Sequence, residues 1–91
     1  MHSYTVRIEL LADIIDYPEL GRALAAEGFV EALTGMDGVG YILPTGEYRI
    51  EYTPMGLQEV CDLAATVAAR FGRNRIFVTS GSRCTWTVDQ A

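Results

Sequence analysis

The sequence predicts an α+β domain in which two amphipathic helices cover one face of an antiparallel sheet. Three observations carry that expectation. Several segments alternate apolar with polar residues, two others repeat apolar residues at three- and four-residue spacing, and their order twice places a helix between strands. A chain of 91 residues removes only about 60–65% of its unfolded surface from water, so one core is the limit and residues 1–91 are read as a single domain.

The first segment, Tyr4-Thr5-Val6-Arg7-Ile8-Glu9-Leu10, alternates strictly, which puts Tyr4, Val6, Ile8 and Leu10 toward the core of a half-buried strand. Asp16 precedes Glu19 by three residues with Pro18 between them, a helix-start signature in which a side-chain oxygen accepts orphan backbone N–H groups. A first helix therefore runs to about Glu27, with Tyr17, Leu20 and Leu24 as its stripe and Gly28 as a left-handed stop. From Phe29 to Tyr52 the pattern is β again, punctuated by the turn formers Asp37-Gly38 and Pro44-Thr45-Gly46. Periodicity leaves open whether 29–33 and 39–43 are two strands or one interrupted by an excursion.

Thr53 and Pro54 read as N-cap and first residue of a second helix, whose stripe is Leu57, Val60, Cys61, Ala64, Val67, Ala68 and Phe71, ended by Gly72. Asn74 to Thr79 is a further strand, and a turn at Ser80-Gly81-Ser82 leads to a last alternating segment, Cys84 to Val88. The order β-α-β-β-α-β is that of a ferredoxin-like sandwich, here with an additional C-terminal strand that would cover a sheet edge in its own chain or in a neighbour's.

Seven basic residues, all arginine, face twelve acidic ones, for a formal charge of −5. That balance repels phosphate backbones, so tight sequence-independent binding is not expected and no DNA partner is predicted, although brief contact with RNA is allowed. The start carries no basic region followed by an apolar run, and no apolar stretch nears the roughly 18 residues a membrane span requires. A cytoplasmic protein with no membrane partner is the expectation. Cys61 and Cys84 are too few and too far apart for a disulfide framework or a zinc site, and both read as small packing residues. His2, the one histidine, reads as a tail residue rather than a general base.

Four constellations carry chemistry. Thr5, Arg7 and Glu9 share the open sheet face with Glu47, Arg49 and Glu51, and one register pairs Arg7 with Glu51 and Glu9 with Arg49. The choice is between an RNA-contacting arginine platform and a solvated or dimer-facing sheet whose charges satisfy one another; the second is the simpler account. Stacking aromatics are not expected there, since Tyr48 and Tyr52 fall on the opposite parity with Ile50. Asp13 and Asp16, beyond the end of the first strand, are candidates to hold Mg²⁺ through water and help activate a nucleophile, although helix capping explains Asp16 fully and is the simpler account. Gly35 to Gly40 is glycine-rich but lacks phosphate-loop spacing and reads as a turn. Arg70, Arg73, Arg75 and Arg83 concentrate positive charge in an acidic protein; Arg70 and Arg73 suit the negative end of the second helix, and the alternative is a local phosphate contact.

A set of residues brings in a family. Tyr4-x-Val6, Gly28-Phe29, Asp37-Gly38, Leu43, Tyr48-x-Ile50 and the run Glu59-Val60-x-Asp62-Leu63 make the chain resemble the GhoS family, small endoribonuclease antitoxins of type V toxin–antitoxin systems. The resemblance spans about two thirds of the chain and is nearly gapless from Phe29 to Leu63. It implies a ferredoxin-like fold similar to the small CRISPR-associated nuclease subunit, and cleavage of the mRNA of a small membrane toxin. Phosphodiester attack would then come from water or a ribose 2′-OH, with Arg22 or Arg49 steadying the developing charge and Asp13 or Asp16 holding a metal or orienting the nucleophile. Arg7, Arg70, Arg73 and Arg75 are the RNA-binding candidates. Arg22 is the one arginine of the first helix, and Trp86 has no counterpart in the resemblance. The rival reading is a non-enzymatic homodimeric interaction module whose sheet face or edge binds a protein.

Overall fold

The computed structural model describes residues 1–11, 14–35 and 37–81. Asp13, Arg83, Cys84, Trp86 and the additional C-terminal strand lie outside the described residues. Strand β1 (His2–Leu10) is central, with β4 (Glu47–Thr53) and β5 (Asn74–Ser80) antiparallel on either side. His2 is thus the first strand residue rather than part of a tail.

Segments 29–33 and 39–43 are resolved as two strands. Among the described residues β2 (Ala32–Thr34) and β3 (Gly40–Ile42) pair only with each other, as a hairpin arm. Its base is tied to the main sheet by Val30, whose N–H and C=O both bond to Arg49, at 2.7 and 2.8 Å. The Val30 segment therefore extends the sheet beyond β4 and runs parallel to β1 with β4 between them. In the same way β4 and β5 are parallel with β1 between them, which is the split β-α-β plan of the ferredoxin-like fold.

Helix α1 (Tyr17–Ala25) begins where Asp16 Oδ1 accepts the Glu19 N–H at 3.0 Å. It ends with Gly28 at φ +97°, and the N–H groups of Phe29 and Gly28 return to the carbonyls of Leu24 and Ala25. Helix α2 (Leu57–Ala68) starts later than the sequence suggests. Thr53 stays in β4 and its hydroxyl accepts the Met55 N–H at 3.2 Å, so the helix is capped at Gly56, whose own N–H donates to Glu59 Oε1 at 3.1 Å. A 3₁₀ turn, Ala69–Phe71, and Gly72 at φ +115° close it.

Both helices pack on the same face of the sheet. Tyr4, Val6, Ile8 and Leu10 meet Leu20 and Leu24 of α1, Val60, Ala64, Val67 and Ala68 of α2, and Phe29, Tyr48 and Ile50 in one buried cluster. Full burial of each larger side chain stabilises by about 1.5–3 kcal/mol. Two tyrosines enter the cluster with their hydroxyls satisfied: Tyr4 donates to the Met55 carbonyl at 2.8 Å, and Tyr17 accepts the Leu10 N–H at 3.1 Å.

The register of β1 against β4 is set at Gly46. Its carbonyl accepts the Ile8 N–H at 2.8 Å, its φ is +87°, and a Cβ there would lie 2.7 Å from the Ile8 carbonyl oxygen. Only glycine allows the turn to approach β1 so closely. Arg7 consequently faces Glu47 and Thr5 faces Arg49, not the Arg7–Glu51 and Glu9–Arg49 pairs that alternation alone allows. Farther along, a bulge opposite Ser3 holds Tyr52 at φ +54° and leaves it 76% exposed, so Tyr52 does not join Tyr48 and Ile50 in the core.

Candidate nucleic-acid interface

Because β1 sends Tyr4, Val6, Ile8 and Leu10 toward the helices, Thr5, Arg7 and Glu9 face the other way. Cross-strand pairing completes a three-row surface: Arg49, Thr5 and Thr79; Glu47, Arg7 and Phe77; then Glu9 and Arg75. Arg7 lies 3.8 Å from Glu47, beyond hydrogen-bonding distance, and Arg75 lies 3.3 Å from Glu9. Both arginine side chains are about three-quarters exposed, at 73% and 76%. A shallow depression is lined by Arg7, Glu9, Arg75, Ile76 and Phe77.

Phe77 is the residue that sequence reasoning missed. It is 69% exposed on a face for which alternation in β4 predicts no aromatic. The signal was present in β5 itself: Ile76 and Val78 both pack on the core, so the period of two turns Phe77 outward. Its apolar neighbours on both sides hid that parity.

Arg49 lies on this same side of the sheet and yet is only 2% exposed. Its Nε donates to Glu51 at 3.1 Å, Nη1 to the Thr5 hydroxyl at 2.6 Å and Nη2 to the Gly81 carbonyl at 3.1 Å. Three fixed acceptors and almost no open surface make it a structural anchor in this conformation, not a group that meets a ligand.

The remaining candidates lie elsewhere. Asp16 is committed to the α1 cap, and Arg22, one turn on, is hydrogen-bonded to Glu19. That bond, then the charge of Glu19, holds the Arg22 guanidinium still more firmly in its charged form. Arg22 also lines an open groove of about 810 Å³ between α1 and the β2–β3 arm, where Glu31, Glu47 and Tyr48 join it. Burial, followed by the charge of Glu31, pushes the Tyr48 phenol up to about 12, so it stays neutral. Asp16 and Arg22 therefore sit on the helical side of the sheet and Arg49 on the opposite side, and the structure does not bring these three together. Arg70, on the 3₁₀ turn, and Arg73, before β5, are exposed at the end of α2. Arg7 and Arg75 are brought together; Arg70 and Arg73 flank the helix terminus they were expected to complement.

Among the described residues no three His, Cys, Asp or Glu side chains gather in a metal-binding group; Asp13, the other half of the Asp13–Asp16 pair, lies outside them. No helix in the described residues is long and apolar enough to cross a membrane. Replacing Asp16 with alanine is expected to lower unfolding stability by about 1 kcal/mol through the lost cap. Denaturant unfolding measures that cost, and a loss near zero would mean that Asp16 does not cap α1 in solution.

No family model, curated protein or solved structure matches the chain.

Proposed function

We propose that this chain is a small cytoplasmic endoribonuclease-like antitoxin of the GhoS kind, acting on mRNA. The observation that carries this reading is the convergence of Arg7 and Arg75, far apart in sequence, on one exposed sheet face of an otherwise acidic protein. Positive side chains gathered there give a polyanion a local foothold despite the formal charge of −5. The resemblance supports the reading at the level of fold. Tyr4, Val6, Phe29, Tyr48, Ile50 and Val60, all among the residues that carry it, are core residues, and Gly28 holds the positive φ that ends α1.

Cleavage on this reading is attack on phosphorus by water or a ribose 2′-OH: the new P–O bond forms as the bond to the leaving ribose oxygen breaks, and the nucleophile's proton ends on that oxygen. Of the two arginines offered for the developing phosphorane charge, Arg22 is exposed and Arg49 enclosed, so the role falls to Arg22, across the sheet from Arg7 and Arg75, and the RNA has to pass round the sheet edge to meet both. No step is assigned to a metal. Incubation of the purified protein with total RNA, with and without Mg²⁺, is the test. Wild type is expected to yield discrete fragments, and Arg22→Ala to slow their appearance by about 10²-fold, the scale for removing one charge-stabilising donor. Equal cleavage by wild type and by an Asp13→Ala/Asp16→Ala variant would remove the carboxylates from the mechanism. Intact RNA under every condition would sink the nuclease reading.

One observation favours the second reading, a homodimeric interaction module without catalysis. Arg7, Arg49 and Arg75 are each ion-paired to a glutamate, so this face satisfies much of its own charge. Light scattering together with the cleavage assay separates the two: a stable dimer that neither binds nor cuts RNA supports the module.

A further inference from the structure

Among the described residues the outward ring of Phe77 takes no part in the buried cluster. Ile76 and Val78, its neighbours in β5, supply the apolar contacts to the core, while Phe77 remains 69% exposed. An aromatic ring left in water forgoes about 1.5–3 kcal/mol that burial would supply. Among the described residues no ring or guanidinium stacks on it, because both nearby arginines lean elsewhere. Arg7, its direct partner on β1, reaches toward Glu47, and Arg75, two residues back on the same face, reaches toward Glu9.

We propose that Phe77 is a stacking platform for an unpaired nucleobase, with Arg7 and Arg75 contacting the phosphates beside it. This inference rests on the RNA reading above and narrows it to single-stranded substrate. A duplex hides the faces of its bases, whereas a loop or single strand presents them to an exposed ring, and each stacked base contributes about 1–3 kcal/mol. The exposed ring and the two arginines beside it set the occupant: an aromatic face for a base and a guanidinium on either strand for a phosphate. Two exposed cations bracket the ring, and Arg7, at 3.8 Å from its glutamate, makes no hydrogen bond through that contact that a phosphate would have to break. The accompanying Glu9 and Glu47 oppose a long polyanion, so affinity is modest and stacking supplies much of it.

The test is fluorescence anisotropy of a labelled, unstructured RNA dodecamer and of its duplex, titrated at several salt concentrations. Wild type is expected to bind the single strand more tightly than the duplex. Its log K against log salt should have a slope near −1.4, from two phosphate contacts at about −0.7 each. Phe77→Ala should weaken binding about tenfold without changing the slope, and Phe77→Trp should restore it. Arg7→Ala or Arg75→Ala should each flatten the slope by about 0.7. Circular dichroism of the Phe77→Ala protein checks that this exposed substitution leaves the fold intact.

Unchanged affinity in Phe77→Ala, with loss in Arg7→Ala, overturns the platform and leaves the RNA reading standing. No binding of either RNA by wild type overturns both. A Phe77→Ala substitution that abolishes self-association instead would assign the ring to a protein interface and overturn the platform too.

Discussion

Phe29→Ala is expected to cost about 3–5 kcal/mol, the range for removing a fully buried phenylalanine, and so most of the stability of a small domain. Phe29 is 1% exposed and sits where three features of the chain meet. Its N–H closes the end of α1 on the Leu24 carbonyl at 3.1 Å, its ring fills the core cluster, and the next residue, Val30, ties the hairpin arm to β4. Truncation therefore opens a cavity at the one place where helix, arm and sheet are joined. Urea unfolding of the wild type and of Phe29→Leu, which keeps most of the volume and should lose far less, provides the comparison. A loss below about 1 kcal/mol in Phe29→Ala would mean that the surrounding side chains collapse freely and that this junction is not tightly packed.

Arg49→Ala is expected to cost about 3 kcal/mol, near the lower end for breaking a buried ion pair. The lower end applies because Glu51, at 39% side-chain exposure, can recover water when its partner is gone. The Thr5 hydroxyl and the Gly81 carbonyl also lose the donors that hold them. Arg49→Lys should recover little, since one ammonium cannot direct donors to Thr5, Glu51 and Gly81 as the planar guanidinium does. Thermal or urea unfolding reads both variants, and a lysine variant within about 0.5 kcal/mol of wild type would show that the three-way geometry is unimportant. The same measurement bears on mechanism. If Arg49 is an anchor, its variants lose stability while the folded fraction keeps the RNA affinity of the wild type.

The two predictions share a cause that the sequence displays only in part. Phe29 follows a helix-stopping glycine and begins a β segment, so its place at a junction is readable from its neighbours. Arg49, in contrast, alternates with Tyr48 and Ile50 and therefore reads as a solvated sheet residue. It does occupy the outer side, but Thr5 and Gly81 join the nearby Glu51 in enclosing it, and no local pattern encodes those two distant contacts. The start of α2 was misread for a related reason. Thr53-Pro54 has good capping chemistry, yet Thr53 is held in β4 by its pairing with His2, and the helix waits until Gly56.

The candidate site divides in the same way. Arg7 was visible as an outward residue of β1 and Arg75 as one of a basic cluster, but their proximity depends on β5 lying beside β1, with Glu9 opposite Arg75 and Phe77 opposite Arg7. Asp16 and Arg22 were placed correctly on or next to the first helix, and the sheet then separates them from Arg49.

Alternation and three-to-four-residue spacing were sufficient to determine the α+β class, the core faces of β1 and both helices except Leu57, which the first turn of α2 leaves 50% exposed, and the glycine at the end of each helix, because burial periodicity and backbone sterics act within a few residues. The register of β1 against β4, the burial of Arg49 and the meeting of Arg7, Arg75 and Phe77 were decided only by tertiary structure. Each depends on which strands become neighbours and at what offset, and a single glycine, Gly46 against the Ile8 carbonyl, selects that offset for β4.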